Sequence, residues 1–288
     1  MRLSLTTIFL ALFTTSSFSS DSSPLLSSFY RAVGEHVAKV RSDPSFPTSP
    51  TCDLASATPP TAPTPLPSPS SGLTLNLVAI GRGIQNYTCD LANSTATPVP
   101  VGALAALFNA SCVASLYPDL LSMLPAIVLD EDCPVSLTGD GTTTSDDECE
   151  DENTSQLSPA NLDLSGHHYF IDTTTPTFNL NASSISTEEL GLVYAKKVNT
   201  SSAPSDAVLG QYGQGNGSVA WLFLERKSEA TDSDGAVSRY YNTGKVEQIY
   251  RLNTAGGNAP ENCTGMSAEF SVQYAADITL SVDVLTNT

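Results

Sequence analysis

From Leu73 onward the chain is built of short runs in which apolar and polar residues alternate, each closed by turn-forming residues. LTLNLVAI (73–80) alternates and then turns wholly apolar, the pattern of a strand that enters a core. HHYFI (167–171), PTFNL (176–180), LGLVYAKKV (190–198), SVAWLFLE (218–225), AVSRYY (236–241), KVEQIYRL (245–252), AEFSVQYA (268–275) and DITLSVDVL (277–285) continue the series. Asp234-Gly235 reads as a loop or hairpin turn between SVAWLFLE and AVSRYY. GALAALFNASCVASLY (102–117) is the best helix within this region, ended by Pro118. Many short strands with one or two short helices predict a mainly-β fold, a single-domain sandwich or barrel spanning 52–280 with a tail at 281–288. No internal repeat and no α/β alternation interrupts it.

The flanking and inserted segments carry different patterns. Residues 1–20 place Arg2 before an apolar run and end in small residues, with Ser17 and Ser19 suited to cleavage, so a secretory signal peptide is expected. Residues 21–51 hold an amphipathic helix over 24–41 and the start of an arm rich in Pro, Ser and Thr. That helix either packs on the domain or stands as a short projecting arm. Proline fixes φ and removes donors, so 42–71 is extended, and Cys52 argues that it is stapled to the body. Residues 130–156 hold ten acids and no Lys or Arg, which predicts a solvated acidic loop insertion. Its acids do not follow the spacing of a Ca²⁺ loop.

Composition adds compartment and partner classes. The 288 residues carry 30 Asp and Glu against 12 Lys and Arg, a formal charge of −18. A field of that sign repels phosphate, so no nucleic-acid or anionic-membrane partner is expected. No later stretch reaches the ~18 apolar residues of a membrane span, and the polar C-terminus lacks a glycolipid-anchor signal, so no membrane anchor is expected. Six cysteines suit disulfides in an oxidising compartment; none has zinc-finger spacing, and the residues alone leave the pairing open. N-glycosylation sequons stand at Asn86, Asn93, Asn109, Asn153, Asn181, Asn199, Asn216 and Asn262. A secreted, extracellular or cell-wall glycoprotein is the expectation.

Candidate chemistry is sparse. Gly81-Arg82-Gly83-Ile84-Gln85-Asn86 follows a strand and approaches the dinucleotide fingerprint, but Asn86 replaces the third glycine and no helix pattern follows. Gly81 and Gly83 are expected to allow a bulge or tight turn instead. His167 and His168 alternate across a strand, so at most one faces a cleft; neither has metal-ligand spacing, and no metal or cofactor is expected. Glu188, Glu189, Glu225, Glu261 and Asp277 are the acids outside the loop worth inspecting as a carboxylate pair, and none stands out. Trp221 reads as core rather than a sugar-stacking platform. Arg251 precedes Gly256-Gly257, where it ties down a loop or lines a cleft.

GRGIQNYTC (81–89), GALAALFNASC (102–112), GHHYF (166–170), VAWLFLE (219–225), YRLNTAGGNAPENC (250–263) and SVQYAADI (271–278) occur in this order. Together they resemble a family of secreted fungal proteins with bacterial relatives, gathered as a domain of unknown function. The likeness runs over roughly 52–278, with the acidic loop and the tail after Ala276 as departures. Fungal members are often labelled malate dehydrogenase, a label these residues do not support. The resemblance implies the fold, secretion and the disulfides Cys89–Cys263, Cys52–Cys112 and Cys133–Cys149, and it implies no catalytic residue. The expected function is a non-enzymatic glycoprotein of the cell surface, cell wall or host interface, with surface proteins or cell-wall polysaccharide as partners. The alternative is a polysaccharide-binding or polysaccharide-acting protein whose cleft gathers Gln85, Tyr87, His168 and Arg251.

Overall fold

Alternating side chains commit a strand to two faces, and here the inward faces close on one another. The computed structural model describes residues 23–43, 51–130, 156–181, 190–210, 217–228 and 241–283. Its strands are β1 (Leu73–Thr88), β2 (Val99–Asn109), β3 (Gln156–Leu157), β4 (Leu162–Phe170), β5 (Pro176–Asn179), β6 (Leu192–Ser201), β7 (Trp221–Arg226), β8 (Val246–Gly256) and β9 (Glu269–Asp283). They hydrogen-bond in the order β2-β1-β9-β8-β7-β6-β5-β4-β3, every pair antiparallel, and β2 also pairs β4. That last pairing joins the two ends of the sheet, so eight strands form a barrel-like ring with β3 outside it on β4. Closure removes exposed edges, which suits a mainly-β chain.

The interior holds Leu77, Ala79, Ala105, Leu107, Phe178, Val193, Leu224, Ile249, Ile278 and Leu280 among its buried residues. Among the described residues, three α-helices lie outside the ring: α1 (Pro24–Ser42), α2 (Ser111–Leu116) and α3 (Pro118–Asp130). Phe29 of α1 and Leu120, Leu124 and Ile127 of α3 cover the outward residues Ile80, Ala106 and Phe108. The amphipathic helix therefore packs on the body, where His36 also meets Asp119 at 2.8 Å. Arg82, on the outer face of β1 beneath α3, is 1% exposed and donates from Nε to the Val128 carbonyl at 2.8 Å. A cation at the last turn satisfies an otherwise orphaned helix carbonyl and suits the helix dipole.

The proline-rich arm is docked over the opposite wall. Ala62 and Leu66 pack on Trp221, Phe223 and Tyr250, and Tyr250 donates its hydroxyl to the Pro67 carbonyl at 2.9 Å. Cys52–Cys112 staples the arm to α2, and Cys89–Cys263 ties the end of β1 to the segment before β9. Cys133–Cys149, the signal peptide, most of the acidic insertion and nearly all of AVSRYY lie outside the described residues.

Several expectations are corrected. Residues 102–109 belong to strand β2 rather than a helix, and Pro118 starts α3 instead of only ending what precedes it. β2 is buried on both faces, so its alternation is erased and its apolar run imitates a helix. Gly81 and Gly83 sit in regular pairing with β2 and β9, while the bulges fall at Asn86/Tyr87 and Leu75/Leu77. At Gly83 the reason for glycine is steric: an added Cβ would stand 2.0 Å from the Leu104 carbonyl oxygen. Residues 269–283 form one strand that runs through both apolar runs, so residues 281–283 belong to the wall and not to a tail.

Candidate functional site

The period-two geometry of β1, β4, β8 and β9 turns a set of polar side chains toward the interior of the ring. On β1, Gln85 and Tyr87 share the inward face with Gly83. On β4, His168 lies opposite Ala105 of β2 and Phe178 of β5, so it points inward while His167 points out. Arg251 of β8 lies opposite the inward Leu222. Tyr274 of β9 lies opposite Gly83.

Arg251 is the centre of this group. Its Nη2 and Nε donate to the Ala220 carbonyl at 2.8 and 3.2 Å, and Nη1 donates to Gln85 Oε1 at 3.3 Å. The guanidinium carbon lies 5.9 Å from the centre of the Tyr274 ring, within cation–π range. Gln85 completes the chain by donating from Nε2 to the Gly102 carbonyl at 2.8 Å. Both acceptor oxygens around Arg251 are neutral, and it forms no ion pair among the described residues. Loss of water around it disfavours the charged form and lowers its pKa, an effect that the neighbouring tyrosines oppose.

The flanking residues are fixed by packing. Tyr87 stacks on Phe270 with ring centroids 5.5 Å apart and donates its hydroxyl to the Gly257 carbonyl at 2.8 Å. Gly257 takes φ +93°, and an added Cβ would meet Tyr274 Cβ at 2.8 Å, so the TAGGNAP segment needs glycine there. His168 is 6% exposed, stacks on Phe178 at 4.4 Å, and donates from Nδ1 to the Thr177 carbonyl at 3.0 Å. Burial pushes its pKa down to about 4, helped by the Arg251 charge, so the ring is neutral near pH 7 with its lone pair on Nε2. Burial likewise raises the Tyr87 and Tyr274 hydroxyls, against the pull of Arg251.

Of the four residues named from the sequence, Arg251 contacts Gln85, and its charge reaches Tyr87 and His168 on the same inward face; Tyr274, beside the guanidinium, lies with them. Its signal was present in the alternation of SVQYAADITL, which places it on one face with Ala276 and Ile278. None of the inspected acids among the described residues is part of the group. Glu225 lies next to the inward Leu224, on the outer face, and meets Lys196 at 3.5 Å; Glu261 is exposed; Glu188 and Glu189 lie outside the described residues. Asp277 faces outward and is buried beneath the arm. Trp221 is buried on the outer wall, as core. Among the described residues no three of His, Cys, Asp or Glu gather as a metal-holding group, and no helix is long and apolar enough to cross a membrane. Of the sequon asparagines, Asn93, Asn181 and Asn199 are exposed, Asn86, Asn109 and Asn262 are partly buried, and Asn153 and Asn216 lie outside the described residues.

The chain belongs to the family described as a protein of unknown function, DUF3455, whose model matches residues 69–280. The matched span takes in all five residues of the interior group. No curated protein and no solved structure matches the chain.

Proposed function

We propose that this protein is a secreted glycoprotein that works by binding, without catalysis, at the cell surface, the cell wall or a host interface. The observation that carries the reading is Arg251, an inward-facing cation held by a carbonyl, an amide oxygen and a ring face, with no carboxylate in ion-pair contact among the described residues. A guanidinium supported in this way presents a rigid fork to oxygen-rich or anionic groups. The two disulfides suit an oxidising compartment. General acid–base work needs a second titrating partner beside His168, and the neighbours placed around it are Phe170, Phe178 and the Thr177 carbonyl.

A polysaccharide ligand is the second reading, supported by the contact of Gln85 with Arg251 and by Tyr87 and His168 within reach of its charge on the same inward face. Amide, hydroxyl and guanidinium groups beside aromatic rings suit sugar hydroxyls and ring faces. The test incubates the secreted, glycosylated chain with chitin, β-glucan and cellulose and follows both depletion from solution and release of soluble sugar. Depletion without release, lost in Arg251→Met, is the expected outcome. Sugar release that disappears in His168→Ala would replace the binding reading with an enzyme. Neither effect would move the search to protein partners at the surface. A parallel titration with NAD is expected to be flat, and measurable binding would reopen the dehydrogenase class.

A further inference from the structure

A second site lies on the opposite face of the sheet from Arg251. Between the outer wall of β1 and β9, the proline-rich arm and α3 is a cavity of about 250 Å³. Pro59, Pro60 and Pro69 of the arm, Leu73 and Leu75 of β1, and Leu121 of α3 supply most of its apolar lining. Asp277 of β9 also lines it, 2% exposed, and its Oδ1 has no hydrogen-bond partner. Leaving a buried polar atom unsatisfied costs free energy. A wall that only had to be filled would carry an aliphatic residue at 277, as it does inward at 278 and 280.

We propose that this cavity binds a small, neutral, mostly apolar molecule bearing one hydroxyl, of the size and class of an alkylphenol, with the hydroxyl on the Asp277 carboxyl. Size follows from volume: a cavity of roughly 150 Å³ accepts benzene, so this one accepts roughly ten non-hydrogen atoms. Neutrality follows from the lining, in which, among the described residues, Asp277 is the sole acid and Lys, Arg and His do not occur. Burial pushes the Asp277 carboxyl well above the usual carboxylate range, against a weaker opposing pull from the Asn253 amide. In its protonated form, which burial favours, the carboxyl offers a donor and an acceptor, the complement of a hydroxyl that accepts and donates. An ionised amine would instead require the carboxylate. The arm is held by Cys52–Cys112 at one end and by Ser70, which donates to Gln248 Oε1 at 3.0 Å, at the other. The cavity roof is therefore part of the fold.

The test titrates the full secreted chain at neutral pH with 4-ethylphenol, ethylbenzene and benzylamine by calorimetry. 4-Ethylphenol is expected to bind at least tenfold more tightly than ethylbenzene. Asp277→Leu, which keeps the side-chain bulk, should abolish that difference while retaining ethylbenzene binding. Ala57→Phe, which fills the cavity from the arm and leaves Asp277 in place, should abolish binding of both. Infrared difference spectra should show the protonated carboxyl stretch of Asp277 shifting with 4-ethylphenol, a readout that does not depend on any variant folding. Absence of binding by all three probes, equal affinity for 4-ethylphenol and ethylbenzene, or tighter binding of benzylamine would each overturn the proposal.

Discussion

Arg251 and Gln85, 166 residues apart in the chain, meet inside the ring at 3.3 Å, Nη1 donating to Oε1. The Gln85 amide is held in one orientation because its nitrogen donates to the Gly102 carbonyl, so a single side chain links β8 to β1 and β2. Gln85→Leu leaves both Arg251 Nη1 and the Gly102 carbonyl short of a partner inside the ring. It is expected to destabilise the fold by about 1–3 kcal/mol, read from urea denaturation at pH 7.

His168 makes stability depend on pH. Its folded-state pKa of about 4 lies below the value of the unfolded chain, so between the two the unfolded state binds more protons. The contribution is complete above the unfolded value and is lost as pH falls toward 4. His168→Phe, stacked on Phe178, should remove this dependence. Denaturation of both proteins at pH 7 and pH 4 should show the wild type losing roughly 3 kcal/mol more than the variant.

Asp277 works in the opposite direction. Its folded-state pKa is raised, so its contribution is complete below the unfolded carboxylate value and is lost as pH rises through and beyond it. Asp277→Asn should be more stable than the wild type at pH 7, by an advantage that shrinks as pH falls toward 4. Thermal melts across that range check it, and an advantage that grows on acidification would contradict the burial argument.

Gly83 and Gly81 separate backbone from side-chain crowding. A Cβ at 83 would stand 2.0 Å from the Leu104 carbonyl oxygen and 2.5 Å from Ala105 Cα, whereas at 81 it would meet Ile278 and Leu107 side chains at 3.3 Å. Gly83→Ala must part β1 from β2 and is expected to cost on the order of 3 kcal/mol. Gly81→Ala needs only small side-chain shifts and should cost clearly less in the same denaturation experiment.

The two disulfides close loops of different length, with separations of 174 residues for Cys89–Cys263 and 60 for Cys52–Cys112. Chain entropy assigns them about 5 and about 4 kcal/mol respectively. Non-reducing peptide maps should show these two links, and replacing Cys89 and Cys263 together by Ser should lower the midpoint more than replacing Cys52 and Cys112.

Much of the wall was legible in the sequence because a half-buried strand prints its geometry as alternation. β1, β4 to β8 and the two halves of β9 were each visible in this way, and the same period put His168 rather than both histidines on one face. β2 was not legible: Ala106 and Phe108 are covered by helices while Ala105 and Leu107 fill the ring, so both faces are apolar and the period vanishes. Of the interior group, Gln85, Tyr87, His168 and Arg251 carry signals in their own strands, while the contact of Gln85 with Arg251 joins segments far apart in the chain. Tyr274 shares that alternation, but nothing in its strand sets it apart from the other inward positions.

Asp277 marks the boundary between the two kinds of information. In DITLSVDVL it alternates with Ile278 and Leu280, and its direction away from the interior is as that alternation implies. What lies over that outer face is set by the arm, which returns from 51–71 through Cys52–Cys112 and hydrogen bonds to β8. Local periodicity determines which residues share a face, because backbone geometry is local. Which faces meet, and whether an acid ends in water or in a cavity, is decided by contacts between segments far apart in the chain, and only the closed ring with its docked arm contains them.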